Sequence, residues 1–492
     1  MVRGGEGSLM ISFRPIGYVV GMLVLALAAS MMLPMLLDLL DGQRGEAVAF
    51  GISGIVTAMV GAMLYLGCSD SRSMGLSIRQ TFLLTVACWI TLPIFGALPF
   101  WIGPAQVSYT DAFFEATSGL TTTGATIYPD LDVLSRGLHL WRGLMQWMGG
   151  IGVIVFAVAF LPMLKVGGMQ LFRSEAFDTF GKILPRAAEI AGSISTIYLS
   201  MTLVCAIIYS WSGMDLFESV VHAMTTISTG GFASENASFG AFSAQAEYIA
   251  TGFMILASLP FVRYVQLVAG SATPLLRDTQ IHAFLAILGT VVLILTAWQI
   301  VMNDQLSELA FRKALFNATS IITGTGYASA DYGSWGSFSV TVFFLIGLIG
   351  GCAGSTCCSV KVFRYQLLVA ALVTQIRQLH HPAGVFRPRY QGRAIEEDVI
   401  SSVMAFFVMF VISLAGVTAI LGLMGLDTMT ALSGAASALA NVGPGLGPEI
   451  GPASTFAGLP DQAKWVLAFA MLIGRLELLS VYVLFTAAFW RG

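Results

Sequence analysis

Long apolar runs separated by short polar intervals set the pattern along this chain. A bilayer crossing takes about 20 helical residues, and runs of that order fall near 15–37, 47–67, 81–101, 138–163, 190–212, 245–270, 281–302, 336–370, 399–425 and 464–490. The first run has the length of a secretion leader. No small-residue cleavage site follows it and a second run comes soon after, so the pair predicts an anchored two-helix hairpin over 1–75. The run near 336–370 is expected to be broken, because GLIGGCAGSTCCSVKVFRYQ (347–366) carries four glycines and several small polar residues. Each Gly costs about 1 kcal/mol in a helix relative to Ala. The pattern predicts an all-α polytopic membrane protein with about ten spans.

Between later spans lie pieces too short to cross, at 111–120, 218–227, 312–322 and 428–439. Ten helical residues cover roughly 15 Å. Each piece runs into one shared ten-residue frame: Glu115-ATSGLTTTG, His222-AMTTISTGG, Asn317-ATSIITGTG and Gly434-AASALANVG. Ala stands second, Ser or Thr fourth and Gly tenth in all of them. A repeat of this kind sets the architectural unit. The expected unit is span, short helix, turn and span, repeated over 76–189, 190–278, 279–395 and 396–492 around one axis.

A segment that enters a membrane and returns leaves backbone groups at depth, which is tolerated only inside protein or beside a water-filled cavity. The terminal Gly permits the tight return. The candidate ion-binding residues are therefore Thr121, Thr122, Thr123 and Gly124; Ser228, Thr229, Gly230 and Gly231; Thr323, Gly324, Thr325 and Gly326; Ala440, Asn441, Val442 and Gly443. Rings of carbonyls from four loops replace an ion's hydration shell, and the carboxyl ends of four short helices present partial negative charge. Both favour a cation. None of the turns holds a carboxylate, which fits a monovalent ion better than a hard divalent one. Small-residue helix packing is the plainer reading of any single segment, but four segments in one frame favour the pore.

Charge placement orients the chain. With the amino terminus inside, ten spans return the carboxyl terminus inside. Arg3, Arg14, Arg72, Arg79, Lys165, Arg173, Lys182, Arg186, Arg263, Arg277, Arg364, Arg377, Arg387, Arg389, Arg393 and Arg491 then fall on the cytoplasmic side. The other side holds mainly Arg44, Arg136, Arg142, Arg312, Lys313 and Lys464. The basic stretches 164–189 and 371–398 suit an acidic partner or lipid headgroups, and the positive-inside bias explains them equally. The six cysteines lie in spans or near the inner face, so no outward disulfide framework is expected.

The segments FEATSGLTTTGAT (114–126), QWMGGIGVIVFAVAFLPMLKVGGMQLFRSE (146–175), STGGF (228–232), GGCAGST (350–356), NVGPGLGP (441–448) and GRLELL (474–479) resemble the Trk/Ktr/HKT potassium-transporter superfamily, specifically the pore-forming subunit of its bacterial Trk branch. The resemblance spans about 10–490. It implies potassium uptake across the inner membrane through one pathway per protomer, with potassium as the transported ion and no covalently bound cofactor. It further implies a homodimer in the lipid bilayer, both termini cytoplasmic, a cytosolic ring of nucleotide-binding regulatory subunits, and no nucleic-acid partner. Nothing in this chain looks able to bind nucleotide itself. Gly at position 124 goes with potassium selectivity in the superfamily, and relatives with Ser there admit sodium.

By the same resemblance the broken span holds an intramembrane gating loop beneath the filter. Its candidate residues are Gly350, Gly351, Gly354, Ser355, Thr356, Cys357 and Cys358, with Lys361 placing a cation near the inner vestibule. Cys357 and Cys358 depart from the family, where Gly is usual, and should stiffen the loop. Arg475 and Glu477 lie within the last span, where charge marks function by default. Arg475 is expected to face the pathway as a barrier to cations, the alternative being a buried ion pair. Asp111 and Glu115 open the first short helix, as caps or as cation attractors.

Rival chemistries find little support. GGCAGST lacks the Lys and the strand–loop–helix setting of a phosphate loop, and GGIG (149–152) lies inside a span. The three clustered cysteines read as small buried hydrophobes sooner than as a metal site. His139, His222, His282, His380 and His381 have no catalytic company, which argues against a membrane enzyme. A secondary cation symporter with broken helices remains the main alternative.

Overall fold

Apolar composition and helix-compatible runs give a mostly helical chain. The computed structural model describes residues 12–71, 76–159, 187–303 and 307–491. Arg3, Arg72, Lys165, Arg173, Lys182 and Arg186 lie outside these residues, as does most of the basic stretch 164–189.

Among the described residues, six helices are long and apolar enough to cross a membrane: Arg14–Leu40, Arg44–Gly67, Ile78–Ile102, Ala191–Trp211, Thr279–Met302 and Glu397–Leu423. The helix Arg136–Ala159 fills the described part of the fourth apolar run. The run near 336–370 is broken as expected, into Ser337–Gly347 and Val362–His380 with irregular chain between.

Two other runs expected to be unbroken are not. Ala244–Ala257 and Phe261–Val268 meet at 89°, and Asp461–Arg475 and Leu479–Phe485 at 102°. The first bend has a local cause, since Pro260 lacks an N–H and restricts the residue before it. The second turns on Glu477 and Leu478, whose φ values of 60° and 38° are left-handed. Apolar length does not register such breaks, because the run on either side stays apolar.

A small antiparallel ribbon, Arg389–Tyr390 with Arg393–Ala394, interrupts the otherwise helical order and lies in the basic 371–398 stretch. The amino-terminal hairpin closes through small residues: a Cβ on Gly21 would meet the Gly61 carbonyl at 2.9 Å. The hairpin docks through charge. Buried Asp38 accepts the Gly137 amide at 2.8 Å and the Ser135 hydroxyl at 3.1 Å. It thus caps the Arg136–Ala159 helix at its positive end from outside that helix.

Candidate functional site

Four short helices carry the shared frame: Tyr109–Leu120, Leu216–Ile227, Ser307–Ile322 and Thr428–Ala440. Three start at a side-chain cap, Ser108, Asp215 or Asp427. All four end alike. The ninth-position amide bonds back to the fourth-position carbonyl: Thr123 to Ser118 at 2.9 Å, Gly230 to Thr225 at 2.8 Å, Thr325 to Ser320 at 2.8 Å and Val442 to Ser437 at 3.0 Å. The eighth-position amide bonds to the fifth-position carbonyl. This pair of bonds is the Schellman ending, which needs a left-handed residue between them. Thr122, Thr229, Gly324 and Asn441 occupy it, with φ of 52°, 48°, 71° and 51°.

The tenth residue is left-handed again: Gly124, Gly231, Gly326 and Gly443 have φ of 84°, 80°, 83° and 112°. Here a second constraint acts. A Cβ on Gly124 would lie 2.3 Å from the Gly230 carbonyl oxygen, on Gly231 1.8 Å from that of Thr325, on Gly326 2.1 Å from that of Val442, and on Gly443 2.6 Å from that of Thr123. Each glycine abuts the ninth-position carbonyl of the next turn, and the fourth abuts the first. The contacts close a ring. Among the described residues, the carbonyls of Thr122, Thr123, Thr323, Thr325 and Val442 accept no protein hydrogen bond. The Gly230 carbonyl accepts one, from the Gln146 amide at 2.5 Å. Gly124, Gly231 and Gly326, together with Pro444, open onto a cavity of about 150 Å³.

On the other side of the ring the three broken runs converge. The Cys352 amide donates to Ser258 O at 3.0 Å, the Phe261 amide to Gly354 O at 2.9 Å, and the Thr356 hydroxyl to Ala257 O at 3.0 Å. The Ala353 amide donates to Gln280, and the Ser355 hydroxyl folds back on Cys352 O at 2.6 Å. Gly350 and Gly354 (φ 79° and 73°) make the turns, and Gly351 packs against Cys357. The backbone groups freed at 257–261 and at 352–356 therefore satisfy one another, as burial requires, while the amides of 476–478 bond within their own segment. Cys357 contacts the Ser258 hydroxyl at 2.9 Å. Cys358 reaches the ring itself, with Sγ 3.7 Å from the Thr122 hydroxyl and hydrogen-bonded by Arg475.

Two buried charged residues of the candidate gate find partners. Lys361 is not a free cation, because its ammonium lies 3.0 Å from Glu477, which also holds Arg364. Arg475 does not pair with Glu477. Its partners are Cys358 and, at 3.1 Å, the Gly149 carbonyl, and its buried Nε has none among the described residues.

Residues 47–491 match the family described as TrkH, cation transport protein. The chain is 45% identical over 481 residues to the Trk system potassium uptake protein TrkI of Halomonas elongata, covering 97% of each. It is 37% identical to the Trk system potassium uptake protein TrkH of Vibrio parahaemolyticus, covering 98% of this chain and all of that one. Its fold superposes on the crystal structure of the potassium transporter TrkH from Vibrio parahaemolyticus with a TM-score of 0.89 at 34% identity, over 98% of this chain and 100% of the other. The chain belongs to the TrkH family. It is a multi-pass membrane transporter and not an enzyme.

In this TrkH-family chain, several residues that support the ring escaped the sequence reading. Glu115 sits mid-helix, not at the start; the Ser108 cap and Asp111, which pairs with Lys464, occupy that end. Glu115 is buried against Arg142, with Nε to Oε1 at 2.8 Å, and takes the Ile127 amide at 2.9 Å. Arg142 also donates to Ala233 O at 2.8 Å, beyond the second turn. Gln146 bridges the second turn by donating to Gly230 O and accepting the Phe232 amide at 3.0 Å. The available signal was a polar residue at the first frame position of an otherwise apolar helix.

The Glu477 site makes a stability prediction. Glu477→Gln removes the buried carboxylate shared by Lys361 and Arg364, and breaking a buried pair by removing one partner typically costs about 3–5 kcal/mol. Thermal unfolding in detergent should show a clear fall in Tm, and Glu477→Asp should keep part of the stability. An unchanged Tm for Glu477→Gln would remove this carboxylate from the fold's supports.

Proposed function

We propose that this chain carries potassium into the cell through a single selective pathway formed by its four turns. The observation that supports this best is the closed ring of glycine–carbonyl contacts, Gly124 to Gly230, Gly231 to Thr325, Gly326 to Val442 and Gly443 to Thr123. The carbonyls of Thr122, Thr123, Thr323, Thr325 and Val442 accept no protein hydrogen bond among the described residues, and unpaired carbonyls are what a dehydrated monovalent cation requires. Residues 121–124, 228–231, 323–326 and 440–443 act as the filter, and 76–189, 190–278, 279–395 and 396–492 as four units around it. The relatives' names, Trk system potassium uptake proteins, support potassium as the ion.

The segment 350–358 acts as the gate, with Arg475 as a barrier to cations beneath the filter. The working form is a homodimer in the inner membrane with both termini cytoplasmic, opened by a cytosolic nucleotide-binding subunit that meets the basic stretches. Purified protein in proteoliposomes should take up rubidium down a gradient and be blocked by excess potassium but not by sodium. Uptake that appears only with an imposed proton or sodium gradient would instead favour the symporter reading.

A further inference from the structure

Beyond each turn the chain must leave the ring, and each exit is held in the same way. A buried acceptor in the short helix takes the amide three residues past the terminal glycine. Glu115 Oε2 takes Ile127 N–H at 2.9 Å, Asn317 Oδ1 takes Ser329 N–H at 3.0 Å, and His222 Nε2 faces Ser234 N–H at 3.5 Å. These acceptors share the first position of the frame, and each bond spans twelve residues. The fourth unit has Gly434 there, with no side chain to offer. Its neighbour takes over, Ser433 Oγ accepting Leu446 N–H at 2.9 Å. The offset past the glycine is unchanged.

Four different side chains thus do one task. His222 manages it as a neutral ring: Nδ1 lies 2.9 Å from Glu218 O and must carry the proton, which leaves Nε2 as the acceptor. The exits are also tied to one another. Leu131 N donates to Asn236 at 2.7 Å, Ala328 N to Ser238 at 3.4 Å, and Phe456 N to Thr126 O at 2.8 Å.

The geometry points to Glu115, His222, Asn317 and Ser433 as specificity-determining positioning residues that set ion discrimination without touching the ion. The inference rests on the filter reading above. Each ninth-position carbonyl sits one residue before a glycine whose exit these acceptors hold, and each presses on the next turn. A site of this kind discriminates only while its supporting shell holds it within about 0.5 Å. Removing an acceptor leaves a buried amide unpaired, so the exit shifts to find another partner or water and the adjoining carbonyl moves with it.

Full-length protein in proteoliposomes provides the test, with rubidium and sodium uptake measured on the same preparation and normalised to folded protein. His222→Leu and Asn317→Leu should each lower the rubidium-to-sodium ratio about tenfold, the change produced by ~1.4 kcal/mol. His222→Asn copies the third unit's acceptor into the second and should restore most of the ratio, which a loss of bulk stability alone would not do. If the leucine variants do not fold, Ser433→Ala, which removes one oxygen and little bulk, carries the test. Folded leucine variants, or folded Ser433→Ala, with the ratio of the unaltered protein would overturn the inference. Gly124→Ser run alongside separates the two readings. A fall there without one in the acceptor variants refutes these residues' role and leaves the filter standing, and no fall in either refutes the filter.

Discussion

Gly124→Ser is expected to lower the potassium-to-sodium permeability ratio by about tenfold, a shift of ~1.4 kcal/mol between the two ions. Two costs act at this residue. Its φ of 84° is one that residues with a Cβ rarely adopt. The added Cβ would also stand 2.3 Å from the Gly230 oxygen, far inside van der Waals contact. The substituted turn must therefore push that carbonyl away or give up its own conformation. The Gly230 carbonyl resists, since Gln146 holds it at 2.5 Å and also accepts the Phe232 amide. Relief comes by widening the ring on the side of the first and second turns. A wider ring leaves more of the hydration shell in place and reads the size of the ion less sharply. Bi-ionic uptake in proteoliposomes measures the ratio directly. A folded Gly124→Ser protein with unaltered discrimination would mean that the turns do not form the filter.

Deleting residues 350–359 should raise ion flux and reduce its dependence on a cytosolic partner. The base of the loop is already closed, with the Lys361 amide on Ile349 O at 2.8 Å, so the chain can be rejoined there with little displacement. Deletion does remove the bonds to Ala257, Ser258 and Phe261, so folded protein must be quantified beside flux. Arg475→Ala should raise flux as well. A cation passing a buried guanidinium at about 4 Å meets a repulsion on the order of 4 kcal/mol at intermediate dielectric, and even a third of that is about tenfold in rate. The two changes should combine less than additively, because Cys358 in the loop is a hydrogen-bond partner of Arg475 and the pair forms one constriction. Folded deletion variants with unchanged or lower flux would reduce the segment to an irregular piece of helix.

Much of this protein was legible along the chain because the relevant physics is local. Apolar length gave the membrane class, and a Gly-rich run showed the break near 350. The shared frame located all four turns through the glycine at its tenth position, where the backbone is left-handed. The same frame carried more than was read from it. The polar first position marked the acceptors of three exits, though not Ser433, which stands outside the frame.

The tertiary structure decided what depends on meeting another segment. The bends at Ser258–Pro260 and Leu476–Leu478 lie in long apolar runs; the first exchanges backbone bonds with the broken segment 352–356, and the second meets the same broken run through the side chains of Arg475 and Glu477. Glu477 belongs with Lys361 and Arg364 and not with its neighbour Arg475, since one left-handed residue reverses the direction of a side chain. Glycine at the tenth position could be inferred from the turn alone. That its missing side chain is also what lets the next turn's carbonyl approach follows only from the closed ring, in which residues far apart in the sequence come into contact, from Gly124 with Gly230 to Gly443 with Thr123.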